Sequence, residues 1–259
     1  MTTIDRDLLR LMKRLKLGPL APTLPERLAL ARAQQLDHAA FLTLLLADEV
    51  QRRDQATLER RLAQAGFEEH ITLEEFDWSV PIQLDRQKLQ AVFTLTFLSR
   101  REHVLFVGPV GVGKTFLAQA LGVAAVRDGH TVLFTRLDAL FKDLAQARVD
   151  HSLERAFRRY LTPDLLILDD LGLHRLSALQ SNDLYELIIE RHRRSSFVIT
   201  SNRGVDEWLG LFDDPILGNS ALDRLAHGAY QIVIEGPSYR AKKAPKVLDE
   251  HSSKDYTTG

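Results

Sequence analysis

The octapeptide Gly108-Pro109-Val110-Gly111-Val112-Gly113-Lys114-Thr115 restricts the fold more than any other stretch of the chain. It matches G-x-x-x-x-G-K-[ST], follows the apolar run 104–107, and opens a segment of helical spacing that starts Lys114-Thr115-Phe116-Leu117. A strand that turns through glycines into a helix is the setting in which such a loop wraps phosphate. Glycines let the backbone curl with its N–H groups inward, and the helix adds the positive end of its dipole. Residues 108–116 are therefore the candidate nucleotide-binding residues, Phe116 included. Lys114 would neutralise the outer phosphates of ATP, and the Thr115 hydroxyl would ligate Mg²⁺.

The surroundings suit that loop. Beyond residue 100, short apolar runs at 104–108, 131–135, 165–169, 197–201 and 231–234 alternate with amphipathic stretches near 114–127, 137–147, 153–161 and 178–194. Strands that are apolar throughout are buried on both faces, which predicts a parallel sheet between helical layers. The fold class expected is α/β, a three-layer P-loop domain. Before it, residues 4–70 hold almost no glycine, and Leu8, Leu11, Met12 and Leu15, then 28–36, 41–46, and Leu58, Leu62 and Ala65 recur at helical spacing. Three or four helices follow, the second beginning at Thr23 or the Pro22/Pro25 pair and the last ending at Gly66. Phe76-Asp77-Trp78-Ser79-Val80-Pro81 breaks the pattern and reads as a linker. The expected organisation is a helical domain over 1–75, a nucleotide-binding domain over 76–245, and a polar, flexible tail over 246–259.

Composition removes other classes. The chain has no cysteine, so disulfides and thiolate metal sites are excluded, and its nine histidines are scattered singly. There is no H-E-x-x-H and no G-x-S-x-G. No run of about 18 apolar residues and no secretory signal is present, so a soluble, cytoplasmic protein without a membrane partner is expected. The net charge of −1 conceals basic clusters and neither points to nucleic acid nor excludes it.

Leu165-Leu166-Ile167-Leu168-Asp169-Asp170 is an apolar strand ending in two acids. Ligands of open α/β sheets lie beyond the carboxyl ends of the strands, which places Asp169 beside the P-loop as a Mg²⁺ ligand and Asp170 as the group that polarises an attacking water. Read alone, the pair could equally be turn acids. Asn202 ends the next strand and could orient that water or merely turn the chain before Arg203-Gly204. The stretch Asn219 to Leu225 reads as a helix start carrying Arg224, and Arg240 follows the last strand. Each arginine is a candidate for phosphate sensing or a plain surface residue.

With those residues in hand, the chain resembles the IstB family of ATP-binding transposition helpers, kin of the DnaC helicase loaders among the AAA+ ATPases. The resemblance spans the helical N-terminal region, the FDW…P segment, GPVGVGKT, LLILDDLG, VITSN, ALDRL and the closing G-x-SYR. It implies that Asn202 is a sensor, Arg224 an arginine finger acting on a neighbouring subunit, and Arg240 a second sensor. It also implies that there is no large C-terminal lid, that ATP sits at interfaces of a homo-oligomer on duplex DNA, and that the assembly serves a transposase. Lys142, Arg148, Arg155, Arg158 and Arg159 fall where related initiator ATPases face DNA. Rival readings are a helicase loader on single-stranded DNA, a small-molecule P-loop kinase, and a nucleotide-gated binding protein that does not hydrolyse ATP.

Overall fold

The computed structural model describes residues 4–69, 71–226 and 228–239, so the expected tail over 246–259 lies outside the described residues. The chain divides into two compact units, Met1–Ala63 and Gln64–Gly259. The boundary expected at residue 76 thus falls inside the second unit.

The first unit is built on α1 (Arg6–Arg14), α2 (Leu24–Ala33) and the first part of α3 (His38–Ala65). Met12, Leu20 and Leu24 form its small core, with Leu17, Leu28, Phe41 and Leu45 packed around them. Two expected helices merge into the 28-residue α3 because no glycine or proline occurs between His38 and Ala65. Asp37 starts that helix by accepting the Ala40 N–H at 2.7 Å. Lateral ion pairs tie the polar part of α3: Arg27 grips Asp48 at 2.5 Å, and buried Glu49 is held by Arg52 and Arg53.

The second unit carries α4 (Arg86–Phe93), α5 (Thr96–Arg100), β1 (His103–Val107), α6 (Lys114–Arg127), β2 (Val132–Arg136), α7 (Leu137–Val149), α8 (Leu153–Leu161), β3 (Leu165–Leu171), α9 (Ala178–Arg191), β4 (Ser196–Ser201), α10 (Pro215–Ala226) and β5 (Ala229–Val233). The five strands form one parallel sheet in the order β2-β3-β4-β1-β5. Alternate residues of β3 show that helices cover both faces. Ile167 meets α6 at Gly122, whereas Leu166 and Leu168 join the apolar cluster built with α7, α8, α9 and α10. The expected three-layer AAA+-like α/β fold is the one observed. Among the described residues, no helix is long and apolar enough to cross a membrane.

Three helices of this unit add to or depart from the sequence reading. Helices α4 and α5 occupy a stretch to which the sequence reading assigned no element, with Asp85 accepting the Lys88 N–H at 3.0 Å to cap α4 and Leu89 and Val92 buried. Helix α10 begins at Pro215 rather than Asn219, because the Asp214 carboxylate accepts the Ile216 N–H at 2.8 Å and proline is suited to a first turn. The sheet order matters most for function. β1 lies between β4 and β5, and β4 separates it from β3, so the P-loop and the acidic end of β3 open at the same edge with the end of β4 between them.

Candidate nucleotide-binding site

β1 stops at Val107 and α6 starts at Lys114, leaving residues 108–113 as the connecting loop. Gly113 precedes the helix with φ 96°, a left-handed conformation, and a Cβ there would lie 2.8 Å from the ring of Phe76. Only glycine meets both demands. Phe76 in turn packs edge-on against Phe116 at 5.3 Å and against Trp78 at 4.7 Å, and the Arg86 guanidinium lies 4.9 Å from the Trp78 ring. The FDW segment read as a linker is therefore part of the wall of the P-loop. Lys114 is buried, and its ammonium donates to the carbonyls of Gly108 (2.9 Å) and Pro109 (2.7 Å). On the other flank, the Tyr239 N–H donates to the Gly111 carbonyl at 2.8 Å. Arg240, the next residue, lies outside the described residues.

Asp169 faces this loop from β3. Its carboxylate, 1% exposed, accepts the Thr115 hydroxyl at 2.9 and 3.1 Å and the Thr200 hydroxyl at 2.6 Å. Burial raises its pKa above the ordinary range; the Thr200 hydroxyl opposes that rise, Asp170 adds to it, and Thr115 and Arg136 pull the other way. A carboxylate and a hydroxyl converging in a dry site are the hard oxygen donors that a small divalent cation prefers. Asp170 has φ 65°, and the β3–β4 register shifts between Leu168 and Leu171 around it. A left-handed non-glycine residue inside a strand is costly and turns the second carboxylate out of the ladder, half-exposed, while its N–H donates to Thr200 Oγ1 at 2.9 Å.

The structure thus brings Lys114, Thr115, Asp169 and Asp170 together. Thr200 joins them unannounced: it holds both acids, and its signal in the sequence is only that it closes an apolar strand two residues before Asn202. Asn202 is exposed at the end of β4, immediately beyond Ser201. Arg224 lies inside α10, folded back on Ser220 O and Oγ at 2.6 and 2.7 Å, and close enough to His192 beyond α9 to depress that histidine's pKa after burial and Arg193. That position is at the opposite end of the sheet from this chain's own P-loop. The basic candidates separate as well. Lys142, Arg155, Arg158 and Arg159 are exposed, but Arg158 pairs with Glu154 at 2.7 Å and Arg159 with Asp143 at 3.5 Å. Arg148 is bound to buried Asp183, so its charge serves the fold.

Comparison with known proteins finds relatives described as ATP-binding. The family described as IstB-like ATP binding protein matches residues 10–247. A protein of Mycobacterium tuberculosis described as an ATP-binding protein in an insertion sequence is 41% identical over 95% of this chain and 98% of its own length. A counterpart from an insertion sequence of Pseudomonas aeruginosa is 37% identical over 91% of this chain and 89% of its own. The crystal structure of DnaI aligns with 63% of this chain and 90% of its own at a TM-score of 0.54 and 20% identity, a likeness of fold alone.

Proposed function

The chain belongs to the IstB-like ATP-binding family, and from that premise we propose that it is a Mg²⁺-dependent ATPase that assembles on duplex DNA and supports a transposase. The observation that carries the catalytic part is the meeting of the Thr115 hydroxyl with the Asp169 carboxylate at 2.9 Å, beside the buried ammonium of Lys114. Insertion-sequence relatives support the part that concerns DNA and a transposase.

Each residue then has a task. The amides of residues 108–113 and Lys114 bind the triphosphate, Lys114 exchanging its two carbonyl partners for phosphate oxygens. Thr115 and Asp169 would hold Mg²⁺, which when bound neutralises phosphate charge and orients the outer phosphates. Asp170, fixed through its own N–H, accepts a proton from the attacking water, and Asn202 at the neighbouring strand end orients that water. Arg224 faces away from its own P-loop and acts on the nucleotide of a neighbouring copy, where a guanidinium in trans is worth about 10³–10⁵ in rate. Arg240 senses the nucleotide from the segment that follows Tyr239. Lys142, Arg155, Arg158 and Arg159 contact DNA phosphates without reading bases, positioned by an Arg148 that stays on Asp183.

Gel filtration with light scattering tests the assembly. A large species should form only with ATP and duplex DNA together, and Arg224→Ala should still bind ATP but hydrolyse it at the rate of an isolated subunit. A size indifferent to nucleotide and DNA overturns the proposal, as does ATP turnover independent of both DNA and protein concentration, which would mark a small-molecule kinase. Assembly on single-stranded DNA alone would mark a helicase loader.

A further inference from the structure

The stretch that follows α3 is stitched to the nucleotide-binding layer, and its outermost stitch is electrostatic. Phe67 lies over Gly122 of α6, where a Cβ would come within 2.7 Å of its ring, and 6.4 Å from the Phe134 ring of β2. The N–H groups of Glu68 and Glu69 both donate to the buried Gln119 side-chain oxygen at 3.0 and 3.3 Å. Glu68 then reaches Arg136, carboxylate to guanidinium, at 2.6 Å.

Arg136 is the last residue of β2 and the register partner of Asp169 on β3. Register partners of a parallel pair project from the same face of the sheet and stand one strand spacing apart, about 4.8 Å. Arg136 therefore leaves the sheet on the face where Asp169 receives Thr115, and nothing in the ATPase chemistry above uses it. As long as Glu68 sits on it, the pair presents almost no net charge to the site. The triphosphate is strongly anionic, so any imbalance in that pair must alter its binding, and by reciprocity its binding must alter the pair.

We propose that the Glu68–Arg136 pair is a charge-sensitive clasp: nucleotide bound at Lys114 and Thr115 attracts Arg136 and repels Glu68, so ATP loosens residues 66–69, through which the chain leaves α3. The inference rests on the ATP-binding reading. Both partners are about half exposed, with side-chain exposures of 56% and 46%, so the coupling is modest.

Opposite signs are the test. In the full-length chain, the Kd of a fluorescent ATP analogue with Mg²⁺ at low salt should fall roughly two- to fivefold for Glu68→Gln and rise by a similar factor for Arg136→Gln. The double variant, neutral like the intact pair, should return close to wild type, and Arg136→Lys should remain within about twofold of it. These differences should shrink at about 0.5 M salt, where the screening length is only a few ångströms. Amide exchange over residues 66–69 should quicken when the analogue binds. If both single variants weaken binding, if the double is the weakest, or if exchange slows, the pair is merely structural and the clasp is overturned. Failure of the wild-type chain to bind the analogue at all would instead overturn the ATP-binding reading, with the clasp as a consequence.

Discussion

Two buried cations sit at opposite ends of one parallel sheet, and both donate to main-chain carbonyls. At the amino end, Arg191 is 1% exposed and donates to Tyr160 O, Leu161 O, Pro163 O and Ser196 O at 2.8 to 3.2 Å, with its guanidinium 5.0 Å from the Phe197 ring. Burial pulls its pKa down to about 9, so it stays charged at neutral pH. Beside it His103 is pulled down to about 4, chiefly by burial, and remains neutral to accept the Phe197 N–H. At the carboxyl end, the Lys114 ammonium donates to two carbonyls of its own loop. A guanidinium fork fixed on four acceptors cannot leave without orphaning them together. An ammonium is a compact point charge on a flexible stem, and a short swing gives it new partners. One end of the sheet is therefore built to stay and the other to exchange.

Substitution can break that contrast. Arg191→Leu should have the largest effect, costing about 3 kcal/mol or more of unfolding free energy because several buried carbonyls lose their donor at once. Urea denaturation measures it, and a loss below about 1 kcal/mol would remove the distinction. Lys114→Ala should do the reverse, weakening ATP binding roughly 100-fold while changing the unfolding free energy from urea denaturation by less than about 1 kcal/mol. Comparable destabilisation by both substitutions would make Lys114 a structural staple as well.

Smaller effects sharpen the picture at the carboxyl end. Thr200→Val deprives Asp169 of one donor and Asp170 of its acceptor, and should raise the Mg²⁺ concentration needed for half-maximal ATP binding about tenfold. An unchanged Mg²⁺ midpoint would show that Thr200 only completes the strand. Asp169→Asn is the subtlest. Burial raises the Asp169 pKa, so the folded state holds that proton more tightly than the unfolded chain does, and stability falls as pH rises through the raised value. At pH about 7 the asparagine variant should melt a few degrees higher than wild type, the gap closing towards pH about 4, while Mg²⁺-dependent binding is lost. A variant less stable than wild type at neutral pH would show that the two hydroxyl donors outweigh desolvation.

Much of this was legible in the residues. The P-loop announces itself because its glycines, lysine and threonine must be contiguous, and Asp169 because an apolar strand ending in acid opens at the ligand edge of such a sheet. Helices α4 and α5 escaped notice because they are short and the Phe76–Pro81 segment before them carries turn signals. The single long α3 was obscured because a weak apolar pattern, rather than a breaking residue, suggested its division.

What the sequence determined by itself is local: the strand–loop–helix cradle, the acid at the end of β3 and the alternation that makes a parallel sheet, since backbone sterics and hydrogen bonding within a few residues dictate them. Tertiary structure decided the rest. Inserting β4 between β3 and β1 set Thr200 against an aspartate 31 positions away. Folding the FDW segment back put Phe76 on Gly113, and the packing of α9 consumed Arg148 on Asp183. Such pairings depend on strand order and on which faces meet, and no short stretch of residues encodes either.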